Sequence, residues 1–184
     1  MRPSVHVEPR GAVAIARHYI RDLIYGANDG IITTFAVVAG VTGGALSTRA
    51  VLIVGVANLL ADGLSMGVGN YLSIRSHESA LEAQDRPEEE SHPARHGLAT
   101  FLAFVAAGSV PLAPYLVPGT NDGRFIASTL LTLLTLFGVG ASRAAVTTAR
   151  WWSAGLEMLL LGVLVAAAAY GSGALVAALI GSGT

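Results

Sequence analysis

The chain has 184 residues, of which 53% are hydrophobic and 12% are charged, and its formal net charge is −1. The charged share is roughly half that of an ordinary soluble domain, and a near-neutral chain has no electrostatic basis for binding nucleic acid. The absence of cysteine excludes disulfides and thiolate metal sites. This composition favours an integral membrane protein.

Long uncharged stretches indicate membrane spans. Residues 97–121, 125–142 and 158–184 contain no Asp, Glu, Lys or Arg, and a helix needs roughly 20 mainly apolar residues to cross a bilayer. We predict an all-α membrane domain over residues 22–184, after a polar cytoplasmic segment 1–21 that lacks the apolar core of a signal peptide. The five spans are expected at about residues 23–46, 50–74, 97–117, 125–145 and 153–171.

The ends of two spans are irregular in sequence. Pro111, Pro114 and Pro118, near the end of the third span, predict a kink, which membrane helices tolerate where the freed carbonyls find other partners. In the fifth span the small residues 171–173 could end the helix, or the helix could continue to about Ile180.

The placement of arginine predicts the orientation in the membrane. The chain contains 11 arginines and no lysine. Nine of them fall in the N-terminal segment and in the connections after the second and fourth spans: Arg2, Arg10, Arg17, Arg21, Arg75, Arg86, Arg95, Arg143 and Arg150. Because cytoplasmic loops carry an excess of positive residues, this distribution predicts a cytoplasmic N-terminus and an external C-terminus.

Polar side chains recur inside the first two spans. Asp29 lies in the first span, and Asn58, Asp62, Met66 and Asn70 follow one another every four residues in the second. Helical geometry places residues at this spacing on one stripe, and ionisable groups inside a membrane are costly and commonly functional. We therefore expect Asp29 and this stripe to face a neighbouring helix or a water-filled path rather than lipid.

Such a stripe could bind a metal ion. Two carboxylates supply hard oxygen ligands, and the Met66 thioether adds a softer donor that suits Fe²⁺ better than Mg²⁺ or Ca²⁺. The same carboxylates could take up protons when the metal leaves. Secondary candidates are Asn28, Asn70, Glu157 and Met158.

The alternative is a non-transporting membrane scaffold or assembly subunit. In that case the intramembrane polar residues would join helices by hydrogen bonds. The small-residue pairs Gly26/Gly30 and Gly63/Gly67 favour close helix contact and are compatible with this alternative.

One polar connection, residues 76–96, carries acidic and histidine side chains. Glu78 and Glu82 are four residues apart, so a helical extension of the second span would align them before Pro87 breaks it. This loop is either a solvated acidic segment or a weak metal-gathering site with Glu78, Glu82, Glu89 and His92 as ligands. Glu89 to His92 has Glu-x-x-His spacing, but it lies in the loop, and we predict that the protein is not an enzyme.

Three segments, RDLIYGANDGIITTFAVVAGVTGG, ANLLADGLSMGVGNYLS and GLEMLLLGVLVAAAAYG, resemble the vacuolar iron transporter family. The resemblance follows the order of all five spans and is strongest in the first two. It implies a homodimer that exchanges Fe²⁺ for protons along a path at or near the subunit interface. It also implies that Asp29 and Met66 bind the metal and that the glycine-rich patches serve dimer packing.

Two departures from the family pattern bear on these expectations. Vacuolar members tend to carry a glutamate where this chain has Asn58, and Asp62 could supply the carboxylate instead. The long Glu-rich insertion after the second span is reduced here to residues 76–96, as in a short bacterial-type member without the full cytoplasmic metal-binding domain. We expect an antiporter that moves Fe²⁺, or Mn²⁺, out of the cytoplasm across a prokaryotic plasma membrane, without a permanent cofactor.

Overall fold

The computed structural model describes residues 4–145 and 147–181, and within these ranges the protein has five long helices and no β-strand. The helices are α1 (Ala12–Gly43), α2 (Thr48–Glu82), α3 (Pro93–Gly108), α4 (Asn121–Ser142) and α5 (Trp151–Gly181). Four of them, all but α3, are long and apolar enough to span a membrane, and α3 with the 3₁₀ segment after it forms a fifth candidate span. The predicted all-α membrane architecture is confirmed, and the orientation of its termini stays a prediction.

The helices extend beyond several of the predicted span boundaries. α1 begins at Ala12, so half of the polar N-terminal segment is helical. α2 continues to Glu82, which is the helical extension that aligns Glu78 with Glu82, and the connection to α3 shrinks from the expected residues 76–96 to residues 83–92. The small residues of α5 do not end it, and the helix continues to Gly181. Within it, the Ser172 hydroxyl donates to the Ala169 carbonyl oxygen at 2.8 Å.

The third span is broken where its prolines predict a kink. α3 ends at Gly108 and the chain continues as a 3₁₀ helix over Val110–Leu116, bent by 41° from α3. Pro111 lacks a backbone N–H, so the regular helical hydrogen bonds cannot continue through it. Its carbonyl oxygen accepts a hydrogen bond from the Ser128 hydroxyl of α4 at 2.7 Å. This contact supplies the partner that a broken membrane helix requires.

Glycines allow α1 and α2 to pack closely on α3. A Cβ atom at Gly30 of α1 would meet the carbonyl oxygen of Phe104 on α3. A Cβ atom at Gly67 of α2 would lie 2.9 Å from the carbonyl oxygen of Gly97 on α3. A Cβ atom at Gly26 would meet the Thr100 carbonyl oxygen of α3, and one at Gly63 would meet side chains of α3. The expectation that these two glycine pairs serve dimer packing is therefore wrong, since both pairs are buried within one chain.

The apolar core lies where α1, α2 and the break after α3 meet. Phe35, Val38, Leu59, Phe104 and Tyr115 form one buried cluster there. The outward faces of α4 and α5 expose many leucines, which suits contact with lipid. The candidate residues Asp29 on α1 and Asn58 to Asn70 on α2 therefore lie next to the region where α1, α2 and α3 pack together.

Gly30→Ala is expected to lower the thermal unfolding midpoint of the detergent-solubilised protein. The added methyl group forces α1 away from the α3 backbone, and overpacking of this kind costs about 1–3 kcal/mol or more. Gly138→Ala is the matched control, because a Cβ at Gly138 on α4 meets nothing within 4 Å. Equal midpoints for Gly30→Ala and wild type would show that α1 and α3 do not pack as described.

Candidate functional site

A buried polar network joins α1, α2 and α3 near the α2–α3 connection. The Asp22 carboxylate, 2% exposed, accepts a hydrogen bond from Asn70 Nδ2 at 2.8 Å, and its other oxygen lies 2.5 Å from His96 Nδ1. Asn70 Nδ2 also donates to the Thr100 hydroxyl at 2.8 Å, which in turn donates to the His96 carbonyl oxygen at 3.0 Å. Because each helix contributes a member, the network fixes the axial position of α2 against α1.

That position sets the relative depth of Asp29 and Asp62. α1 and α2 form a helical hairpin, and Asp29 follows Asp22 by seven residues while Asp62 precedes Asn70 by eight. At about 1.5 Å per residue, both carboxylates lie roughly 10–12 Å from the network along the helix axes. They are close enough for their charges to repel each other. Within residues 4–145 and 147–181, neither carboxylate forms an ion pair with arginine or histidine.

The predicted stripe lies along one flank of α2. Asn58, Asp62, Met66 and Asn70 are all half-buried. Met66 and Asn70 line a cleft of about 360 Å³ together with Tyr25 of α1. Met66 also packs against the apolar core cluster. The stripe therefore lies next to α1, and Asn70, at one end of the stripe, belongs to the buried polar network.

Three secondary candidates form a different group. Asn28, Glu157 and Met158 line a cavity of about 420 Å³ between α1 and α5. Glu157 is an exposed side chain that pairs with Arg143 at 3.4 Å. Asn28 lies about 100° around the α1 axis from Asp29 and lines the cavity on the α5 side of α1. The structure thus does not bring these three residues to the Asp29–Asp62 pair.

The predicted loop residues lie in different environments. Glu78 is buried, and its carboxylate accepts backbone N–H bonds from Glu89 at 3.2 Å and from Glu90 at 2.8 Å. Glu82 and Glu89 are exposed. His92 lies beside the N-terminal segment. Glu78 therefore organises the backbone of the loop, and the four predicted ligands do not converge on one point.

Histidines converge on Glu90 instead. Its Oε2 atom lies 3.0 Å from His96 Nε2, 3.4 Å from His18 Nε2 and 3.5 Å from His6 Nδ1. Burial opposes ionisation of Glu90, but the backbone N–H of His92 and the nearby imidazoles outweigh burial and hold the pKa of this carboxyl below its ordinary value. The carboxylate is thus the negative centre of a histidine cluster.

Asp22, His6 and His18 were not predicted as site residues, although one signal was present. His18 and Asp22 are four residues apart on α1, and His92 and His96 have the same spacing at the start of α3. Residues at this spacing share a helix face. Only the fold, however, reveals that the two faces meet.

A profile of the VIT family matches residues 20–92 and 80–174. The chain belongs to the VIT family. One similar protein is a vacuolar iron transporter from Toxoplasma gondii, 26% identical over 230 aligned positions that cover 89% of this chain and 76% of that protein. Vacuolar iron transporter 1 from Eucalyptus grandis is 26% identical over 213 positions, covering 85% and 86%. Vacuolar iron transporter homolog 1 from Oryza sativa subsp. japonica is 29% identical over 175 positions, covering 88% and 75%.

Family membership confirms the resemblance to the vacuolar iron transporter family, which is strongest in the first two spans. The 230 positions of the Toxoplasma gondii alignment outnumber the 184 residues of this VIT-family chain, so that relative contains segments which this chain lacks. The relatives are named as transporters, which supports metal transport as the functional class and agrees with the prediction that the protein is not an enzyme.

Asn70→Leu is expected to destabilise the protein by about 1–3 kcal/mol, because it leaves the buried Asp22 carboxylate and the Thr100 hydroxyl without an amide donor. Asn58→Leu, on the same flank of α2, is the matched control, since the Asn58 amide forms no hydrogen bond within the described ranges. Thermal unfolding in detergent measures both variants. A midpoint as low for Asn58→Leu as for Asn70→Leu would contradict the importance of the network.

Proposed function

We propose that this VIT-family protein is an antiporter that exchanges Fe²⁺, or alternatively Mn²⁺, for protons. The metal would leave the cytoplasm through a path that passes between Asp29 on α1 and Asp62 on α2. The observation that carries the proposal is the placement of two carboxylates at the same depth without a cationic partner among the described residues.

Two neighbouring carboxylates inside a membrane need charge compensation. Like charges disfavour joint ionisation, and a low dielectric strengthens their repulsion. A divalent cation removes both problems because it neutralises the pair and coordinates hard oxygen ligands. When the metal leaves, protons can take its place on the same oxygens, which is the physical basis of exchange.

The neighbours of Asp62 on the stripe bear on the choice of ion. Met66 adds a thioether, which is a soft ligand that favours Fe²⁺ over Mg²⁺ and Ca²⁺. Asn58 offers an amide oxygen one turn from Asp62 on the same flank. We propose that Asp62 supplies the carboxylate which vacuolar members carry at the position of Asn58.

A second copy of the chain would complete the path. Asp62 and Asn58 are only half-buried in one chain, and a partly exposed carboxylate at membrane depth cannot face lipid without a large cost. Ser65 and Gly69, which lie within about 60° of Asp62 around the α2 axis, are exposed as well. We propose a homodimer in which this side of α2 is covered, in a prokaryotic plasma membrane.

Asp29→Asn and Asp62→Asn are each expected to reduce Fe²⁺-dependent proton flux in proteoliposomes at least about tenfold. The basis is that even indirect partners of metal ligands contribute about 10–100-fold to affinity or activity. Flux is followed with an internal pH-sensitive dye and with radiolabelled Fe²⁺ or Mn²⁺, with and without a pH gradient. Glu157→Gln is the matched control, because Glu157 is an exposed carboxylate of α5 that lies outside the pair.

Two results would contradict the proposal. One is wild-type flux in folded Asp29→Asn and Asp62→Asn. The other is a loss of oligomer and of thermal stability in these variants with unchanged flux per folded protein, which is the behaviour of helix-joining residues in a scaffold.

A further inference from the structure

We infer that His18, Glu90 and His96 form a second divalent-metal site. This site lies next to the α2–α3 connection, at one end of the helix bundle. The ligand atoms His18 Nε2, Glu90 Oε2 and His96 Nε2 all lie within 4.8 Å of one another. His6 is a fourth candidate ligand, since its Nδ1 atom lies 3.5 Å from the same Glu90 oxygen. The site is separate from the proposed path between Asp29 and Asp62.

The spacing of these atoms matches the shell of a tetrahedral ion. The three imidazole nitrogens lie 3.0, 3.4 and 3.5 Å from Glu90 Oε2. Around a tetrahedral ion with bonds of about 2.0–2.2 Å, neighbouring ligand atoms are about 3.3–3.6 Å apart. A cation placed among the nitrogens and the carboxylate oxygen would therefore require only small shifts of the side chains.

Asp22 prepares His96 for this role. Its carboxylate lies 2.5 Å from His96 Nδ1, which identifies that nitrogen as the protonated donor. In the neutral ring, Nε2 then carries a lone pair directed at Glu90, which is itself an acceptor. A carboxylate behind a histidine is the usual arrangement that orients an imidazole toward a metal.

The ligand nitrogen of His96 lacks the hydrogen-bond partner that a purely structural cluster would provide. The His96 side chain is 7% exposed, and its Nε2 atom has no hydrogen-bond partner in the described ranges. His96 Nε2 lies 3.0 Å from Glu90 Oε2, and two acceptors at this distance need a proton or a cation between them. Buried polar atoms are normally satisfied, and a divalent cation would satisfy His96 Nε2, Glu90 and His18 together.

Two hydrogen bonds hold in place the segments that carry His6 and Glu90. The Val5 N–H donates to the Glu88 carbonyl oxygen at 2.8 Å, which ties the N-terminal segment to the loop. This bond places the next residue, His6, beside the cluster. The loop is fixed to α2 by Glu78, which accepts the Glu90 N–H at 2.8 Å. A bound ion would therefore join the N-terminal segment, α1, the loop and α3.

The donor set defines the class of ion. Imidazole nitrogens with one carboxylate and no thiolate suit borderline first-row divalent ions, and affinity rises from Mn²⁺ through Fe²⁺ and Co²⁺ to Ni²⁺. The path between Asp29 and Asp62 has two carboxylates and no imidazole. Asp29 is also about 16 Å from His18 along α1. The two sites should therefore be distinguishable by variant and by ion.

Co²⁺ alone, added to the purified full-length protein in detergent, tests the site. Tetrahedral Co²⁺ has strong visible absorption, and calorimetry gives the affinity. Wild type is expected to show the tetrahedral spectrum, and His18→Asn and Glu90→Gln are each expected to weaken binding at least about tenfold. His77→Asn is the matched control, because His77 is exposed on α2 and lies outside the cluster. Asp29→Asn is expected to keep the spectrum.

Three results would overturn the inference. They are a wild-type protein without the tetrahedral spectrum, wild-type affinity in both His18→Asn and Glu90→Gln, or loss of the spectrum in Asp29→Asn with retention in His18→Asn. Because His18 is at the edge of the cluster and partly exposed, His18→Asn carries the test if Glu90→Gln does not fold. None of these measurements depends on transport.

Discussion

The hydrogen bond between Asn70 and Asp22 is the interaction on which both candidate metal sites depend. In a membrane no hydrophobic force holds helices in register, and packing and polar contacts take over this role. The bond fixes α2 against α1 and thereby places Asp29 and Asp62 at the same depth. The other oxygen of Asp22 orients His96 toward the histidine cluster. A single buried carboxylate therefore links the proposed path to the proposed histidine site at the end of the bundle.

Close packing on α3 makes this arrangement rigid. Gly30 and Gly67 bring α1 and α2 within backbone contact of α3, and Gly43 and Gly173 bring α1 and α5 equally close, so these four helices form one block. The polar stripe is left on the flank of this block, half-buried in a single chain. The packed helices form a firm wall behind the stripe, and the stripe itself is only partly covered within one chain. This arrangement fits the proposal that a second subunit closes the path.

The sequence predicted the helical spans and the polar stripe, but it did not predict which helices contact one another. Uncharged stretches predicted five spans, and four-residue spacing predicted the stripe from Asn58 to Asn70, because both follow from helix geometry alone. The glycine pairs were assigned to the wrong partner, since small residues show that helices approach but not which ones. Asp22 was not predicted because, next to Arg21, it resembles an ordinary interfacial charge. Its role appears only when His96 of α3 and Asn70 of α2 meet it.

The central claim is that Asp29 and Asp62 bind one ion together. An anomalous difference map from crystals of the full-length protein grown with Mn²⁺ tests it most directly. The account predicts a peak that is coordinated by carboxylate oxygens of both residues, in the membrane-spanning part of the bundle. Anomalous peaks confined to other sites, with the two carboxylates bound to protein groups or turned apart, would contradict it.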